Sequence, residues 1–419
     1  MSEARPAQPG AAARCRLCGA RLEHTFCDLG ASPLSNRYLE RAQLDEMEPF
    51  YPLRAYVCGE CLLVQLEEFE PPERIFGEYA YFSSYSESWL RHAERYVEQA
   101  AVRFGIGPAQ RVVEIASNDG YLLQFFRRRG VPVLGVEPAA NVARAAEAKG
   151  IPTRVAFFGS GTARALGAEG WRADLVVANN VLAHVPGLND FIEGVRILLA
   201  PGGVATFEVP HLLRLIEGNQ FDTIYHEHFS YFTLLAAERA FAAQGLRVFD
   251  VAELPAHGGS LRIFVCAATD AVRPRAPAVD RVLAEERAAG LASLAGYGGF
   301  EPRVRAAKRQ LLEFLIGAKD AGRSVAAYGA AAKGNTLLNY CGVRGDFLDY
   351  VADASPHKQG RYLPGTRIPI VAPARIRETR PDYLLILPWN LKDEVMARNA
   401  FIRDWGGRFV IPIPALEVL

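Results

Sequence analysis

Between positions 225 and 231 the chain concentrates groups able to move a proton. The window Tyr225-His226-Glu227-His228-Phe229-Ser230-Tyr231 holds two of its eight histidines, a carboxylate and two phenols. A neutral imidazole is the side chain whose pKa lies nearest working pH, and a carboxylate or phenol beside it can orient it, so general base catalysis is the chemistry this composition suits. Two other readings stay open. Zinc on a helix asks for H-E-x-x-H, whereas H-x-H does not share a helix face and suits a loop or strand. Buried imidazoles also often do no more than satisfy core hydrogen bonds.

A second cluster is cysteine. Cys15-Arg16-Leu17-Cys18-Gly19 and Cys58-Gly59-Glu60-Cys61 form two C-x-x-C knuckles about forty residues apart. Four thiolates so spaced close a tetrahedral zinc site with no open position, so Cys15, Cys18, Cys58 and Cys61 are expected to hold a structural Zn2+. A redox pair or an iron–sulfur cluster is the alternative. Cys27, Cys266 and Cys341 stand alone, which is no secreted disulfide framework.

These groups need a scaffold, and its first unit is Val112 to Leu123. The β-branched run Val112, Val113, Ile115 reads as a buried strand, Ala116 to Gly120 as a small-residue turn, and Tyr121 to Arg129 as a helix. Small residues after the first strand of a doubly wound sheet let a nucleotide-like ligand approach the backbone. The pattern Glu114-x-Ala116-x-Asn118-x-Gly120 resembles the E-x-G-x-G-x-G loop of class I S-adenosylmethionine (SAM) methyltransferases; an ordinary βα turn is the alternative. Cofactor contacts are therefore expected from Glu114, Ala116, Ser117, Asn118, Gly120 and Tyr121. A second strand, Val133 to Val136, ends in Glu137-Pro138, where an acidic residue about twenty positions after the loop holds a ribose diol. Further strands are expected at Thr153 to Phe157, at Asp174 to Ala178 running into Asn179, and at Val204 to Val209 after a helix closed by Pro201-Gly202-Gly203. Leu246 to Val251 and Ser260 to Cys266 read as an antiparallel pair.

The segment Phe76 to Ser88 is rich in tyrosine and serine and reads as a lid or as aromatic packing. A helix follows, capped by Ser86 or Ser88 and ending near Gly105. Val272 to Ala321 reads as a helical connector. A second alternating unit then starts with strand Val325 to Tyr328, loop Gly329-Ala330-Ala331-Ala332-Lys333-Gly334-Asn335 and helix Thr336 to Tyr340, with strands at Phe347 to Ala352, Tyr383 to Leu387 and Phe409 to Pro412. Free amides and a lysine there suit a phosphate or pyrophosphate, a structural turn being the alternative, and the glycine spacing is not that of a P-loop.

The chain has 419 residues, half of them apolar, with 47 basic and 47 acidic side chains. That is enough for two or three domains. Without a basic block, neither nucleic acid nor an anionic membrane is an expected partner. No apolar run approaches ~18 residues, and Met1 to Ala13 lacks a signal-peptide centre, so a soluble cytoplasmic protein with a disordered start is expected.

Taken together, the two cysteine knuckles, EIASNDGYLL, NNVLAHVP, YHEHFSYF, HGGSLR and YGAAAKGN, in this order, resemble the nucleotide-sugar C-methyltransferases of deoxysugar biosynthesis, which serves antibiotics or surface polysaccharides. The resemblance implies an α/β protein in three parts. Residues 1–75 form a zinc-binding module and 76–270 a class I SAM-dependent methyltransferase domain with a seven-stranded doubly wound sheet. Residues 271–419 form a connector and a smaller Rossmann-like domain for the nucleotide sugar. It implies methylation of carbon three of a dTDP-4-keto-deoxyhexose, with His228 as base, Tyr225 and Glu227 beside it, and His184 and Tyr79 completing the site. Substrate contacts are expected from Tyr79, Ser84, His226, Gly329, Lys333, Gly334 and Asn335. Methylation at carbon five, at oxygen or nitrogen, or a noncatalytic nucleotide-sugar-binding role are the alternatives. Oligomeric state is not legible, and a monomer is compatible with everything above.

Overall fold

A computed structural model of the chain describes residues 13–76 and 82–419. Tyr79 lies outside the described residues. The described residues fall into two compact units, each assembled from segments distant in sequence. Those within Met1–Leu22, Cys58–Leu212 and Phe229–Ser293 make the first, and those within Glu23–Val57, Leu213–His228 and Leu294–Leu419 the second.

The first unit is built on seven strands: β1 Val112–Ile115, β2 Val133–Glu137, β3 Thr153–Val155, β4 Ala173–Asn179, β5 Leu199–Pro210, β6 Leu246–Leu254 and β7 Ser260–Ala267. Their order is β6-β7-β5-β4-β1-β2-β3, with β7 antiparallel to both neighbours. All four residues of β1 are buried, as a strand covered on both faces requires. Alternation sorts them: Val113 and Ile115 join one core and Val112 the other. Helix α1, Glu87–Phe104, packs Ala93, Tyr96, Val97 and Ala100 into the second of these cores. It starts where Ser86 Oγ accepts the Trp89 N–H at 3.3 Å and stops at Gly105, whose φ of 64° a side chain would strain. Helices α2 Leu123–Arg128, α3 Ala140–Ala148, α4 Ser160–Ala168, α5 Leu188–Leu198, α6 Leu234–Ala243 and α7 Pro277–Ala288 follow. Val64–Leu66 and Ser230–Tyr231 pair as a short antiparallel ribbon.

The second unit has an antiparallel hairpin, His24–Ser32 with Tyr51–Val57. Its main sheet comprises β8 Val325–Tyr328, β9 Val351–Ala352, β10 Ile370–Val371, β11 Tyr383–Ile386, β12 Arg408–Ile411 and β13 Glu417–Val418. The order is β10-β9-β8-β11-β12-β13, parallel except for the last strand. Helices α8, Phe300–Asp320, and α9, Ala332–Cys341, belong here. In both sheets the strand order reverses beside the first strand, at β1/β4 and at β8/β11, the position where such sheets take ligands.

Three expectations shift. Pro201-Gly202-Gly203 does not end α5 but lies inside β5, where the register jumps from Ala173↔Leu199 to Leu175↔Val204 and Gly202 takes φ 74°. The strand expected from Phe347 shrinks to Val351–Ala352, because Phe347 and Leu348 both donate to Arg344 O in a turn. The connector is two helices, α7 in the first unit and α8 in the second. Among the described residues no helix is long and apolar enough to cross a membrane.

Candidate active site

The loop after β1 has the conformation that its small residues announced. Ala116, Asn118 and Gly120 take φ of 54°, 51° and 74°, so every second residue is left-handed. Glycine does this without cost and asparagine tolerates it, so the strain falls on Ala116, about 1–2 kcal/mol. At Gly120 a Cβ would lie 2.9 Å from Ile151 Cγ1. The bend is held from outside: Glu137 accepts the Asn118 N–H on Oε2 and the Ala139 N–H on Oε1, both at 2.9 Å. Asn118 Oδ1 accepts the Ser83 N–H at 2.8 Å. Pro138 follows Glu137 directly, and Tyr121 opens the turn into α2.

Around this loop sit buried polar atoms with no hydrogen-bond partner among the described residues: Glu114 Oε2, Ser117 Oγ, Asp119 Oδ1, and both Oδ1 and Nδ2 of Asn179. Buried groups of this kind are costly unless something pairs them. They flank the β1/β4 switch point, and donors and acceptors together suit the hydroxyls, amino groups and charges of SAM. Burial pushes the Glu114 carboxyl well above the usual carboxylate range, and burial likewise raises Glu137 against its two backbone hydrogen bonds.

Ser84 is placed at the same loop, where its hydroxyl donates to Asp119 Oδ2. Lys149 Nζ reaches Ser84 Oγ at 2.6 Å and Asp119 Oδ2 at 2.8 Å. His184 ends a short turn after β4, half-buried, its ring edge-on to Phe76 at 5.7 Å.

Tyr225 to His228 lie in the second unit, where the two histidines part ways. His228 is buried, with Nδ1 2.8 Å from Thr223 O and Nε2 2.9 Å from the Tyr225 hydroxyl. His226 turns its Nε2 to Pro52 O at 3.1 Å and its ring edge-on to Tyr51, and burial holds it toward the neutral form. Glu227 is buried and accepts from Asn36 Nδ2 at 2.6 Å.

In the loop after β8, Gly329 takes φ 94° with Pro388 where its Cβ would stand, and Gly334 approaches Leu387 so closely that a Cβ would lie 2.8 Å away. Both glycines bring backbone to the β8/β11 switch point. Lys333 Nζ lies 4.7 Å over the Trp389 ring and 3.4 Å from Asn390 Oδ1; burial lowers its pKa, and Asp222 partly opposes that. Asn335 is buried at the start of α9, its Nδ2 without a partner among the described residues.

The four knuckle sulfurs lie within 4.8 Å of one another, with Cys15 to Cys61 at 3.4 Å and Cys18 to Cys58 at 3.5 Å. Zinc–sulfur bonds of ~2.3 Å fit that tetrahedron. Gln65, invisible from spacing, donates from Nε2 to Cys15 Sγ at 3.1 Å and accepts the Arg16 N–H at 2.9 Å.

Sequence reading also missed Asn36, Tyr38, Asp222 and Trp389, which surround the Tyr225–His228 loop from segments up to 191 residues away. In the first unit it missed a buried cluster at the end of β5. Glu208 there meets His92 Nε2 at 3.0 Å and Arg262 Nη2 at 2.7 Å. Burial would raise Glu208, but these two partners hold it below the usual range. The only signal was the arginine closing HGGSLR.

Residues 15–76 match a zinc binding domain family, 89–251 a methyltransferase domain, and 255–414 the C-methyltransferase C-terminal domain. The chain is 38% identical to C-methyltransferase NovU of Streptomyces niveus over 407 residues, covering 97% of this chain and 96% of that one. Solved structures with some likeness include a SAM-dependent methyltransferase from Clostridium acetobutylicum, with 13% identity, 42% of this chain and 92% of that one covered, and a TM-score of 0.35. Magnesium protoporphyrin IX methyltransferase from Synechocystis shows 13% identity, 46% and 88% coverage, and a TM-score of 0.33. From the match along nearly its whole length, the chain belongs to the C-methyltransferase family and is a SAM-dependent methyltransferase that carries a zinc-binding module.

Proposed function

We propose that the chain methylates carbon three of a dTDP-linked 4-keto-deoxyhexose, with His228 removing the proton from that carbon. The observation that carries the reading is the hydrogen bonding of His228. A carbonyl oxygen only accepts, so the bond to Thr223 keeps a proton on Nδ1, and the Nε2 lone pair then faces the Tyr225 hydroxyl. This is the tautomer a general base needs. A sugar C–H becomes acidic enough only beside a carbonyl, where the charge is held as an enolate, so a keto sugar is the substrate class. SAM, when bound, supplies a methyl group on a positively charged sulfur.

The remaining roles follow from chemistry. Tyr225, whose hydroxyl faces the His228 lone pair, orients the base, and Glu227, fixed by Asn36, orients the sugar. Glu114, Ala116 to Gly120, Glu137 and Asn179 hold the cofactor. Lys333, the Asn335 side-chain amide and the backbone N–H groups that open α9 at Ala332 to Gly334, brought close by Gly329, hold the diphosphate. Tyr79 belongs to the sugar side by resemblance, and Ser84 as a hydroxyl that can bond a sugar.

The test is to incubate the protein with SAM and a panel of dTDP-4-keto-deoxysugars and locate the new methyl by mass and carbon NMR. A methyl on carbon three is expected; a methyl on oxygen or nitrogen would refute the reading. His228→Gln is expected to lower kcat roughly 10²–10⁴-fold with SAM affinity retained. Near-normal turnover would remove His228 from the role.

A further inference from the structure

Two hydrogen-bonded struts inside the second unit join the loop that carries His228 to the loop that carries Lys333. In the first, Trp389 Nε1–H donates to Asp222 Oδ2 at 2.7 Å. Trp389 follows β11, and its ring supports the Lys333 ammonium at 4.7 Å. Asp222 is fully buried, and its Oδ1 has no hydrogen-bond partner among the described residues. The next residue, Thr223, is the one whose carbonyl fixes His228 Nδ1. In the second strut, Asn36 holds Glu227 at 2.6 Å, and two residues on, the Tyr38 hydroxyl donates to Ala330 O at 2.6 Å, inside the anion loop itself. Burial, with Asp353 and Glu227 nearby, pushes the Tyr38 phenol up, so it remains a donor.

We propose that Asp222 and Trp389 are positioning residues that couple the seating of a nucleotide diphosphate at Lys333 to the orientation of the His228 imidazole. This rests on the function proposed above. The physical basis is a shared support: a diphosphate draws the Lys333 ammonium from its place over the Trp389 ring, and the indole N–H of that ring holds Asp222 in the turn that positions the base. Coupling of this kind is reciprocal and belongs to an element both sites bias.

The experiment uses the full-length protein and dTDP, which has the diphosphate but no sugar. Adding dTDP is expected to shift the His228 imidazole nitrogen resonances in the unaltered protein. In Trp389→Phe, which keeps a ring under Lys333 but removes the indole N–H, that shift is lost although calorimetry still detects dTDP. With the keto sugar, W389F lowers kcat roughly 10–100-fold while KM for SAM is unchanged. Asp222→Asn, which keeps an acceptor for the indole, retains more activity than Asp222→Ala. A full dTDP-induced shift and full kcat in W389F would overturn the coupling, as would failure of dTDP to move His228 in the unaltered protein. Absence of turnover on every keto sugar would instead refute the proposed substrate, and the dTDP titration reads the coupling separately.

Discussion

Asp222 offers a quantitative test of this loop through stability. It is a carboxylate with no exposed surface, and burial, opposed by Lys333 and the Trp389 hydrogen bond, raises its pKa from 3.8 to about 6. The folded pKa lies above the unfolded one, so between these values the folded protein holds the proton more tightly. Stability contributed by the protonated group is complete below the unfolded value and is lost as pH rises to about 6. The gap of roughly two pH units corresponds to about 3 kcal/mol. Asp222→Asn removes the titration but places an amide Nδ2 where Oδ1 has no partner, a constant cost of about 1–3 kcal/mol. The variant is therefore less stable than the natural protein below about pH 4 and similar or slightly more stable above about pH 7, the difference moving by ~3 kcal/mol across that window. Hydrogen exchange of the β8 and β11 amides in both proteins, at several pH values, measures it. A difference that stays flat with pH would show that Asp222 ionises as if exposed, and the electrostatic part of the argument would fail.

Gln65→Ala removes the N–H that meets Cys15 Sγ, and zinc affinity is expected to fall roughly 10–100-fold by chelator competition. Unchanged affinity would make Gln65 a packing residue. Glu137→Ala frees the amides of Asn118 and Ala139 and is expected to weaken SAM binding at least ~10-fold by calorimetry, whereas an unchanged Kd would remove Glu137 from the cofactor site.

What the sequence made legible was local. β1, β2 and β4 are buried along most or all of their length, so each reads as a largely apolar run, and at β1 the small-residue exit Ala116 to Gly120 marks the turn. The knuckles are legible because zinc dictates spacing. Pro201-Gly202-Gly203 misled because a bulge uses the same residues as a helix stop. The grouping of Leu213 to His228 with the second unit had no signal: Glu227 meets Asn36 and Asp222 meets Trp389 across 191 and 167 positions, and no periodicity encodes such pairs. The parting of His226 from His228 was likewise hidden, since it depends on whether each ring faces Pro52 or Tyr225.

The two strand-loop-helix turns share a topology yet are not interchangeable, and charge is the reason. The loop after β1 stands among Glu114, Asp119 and Glu137, with Lys149 paired to Asp119. The loop after β8 carries Lys333, and Lys358, which donates to its Ala330 carbonyl at 2.8 Å, offsets Asp353, which lies 3.7 Å from it and accepts the Ala330 N–H, so Lys333 is the cation left over there. A phosphate placed within ~4 Å of one ionised carboxylate is disfavoured by about 4 kcal/mol at an effective dielectric constant of ~20. A sulfonium beside Lys333 meets a penalty of the same kind. Burial already pushes Glu114 and Glu137 toward the protonated form, and a cation among them would favour their ionised forms again. These charges support the proposed division, in which the cationic cofactor takes the first loop and the anionic nucleotide the second.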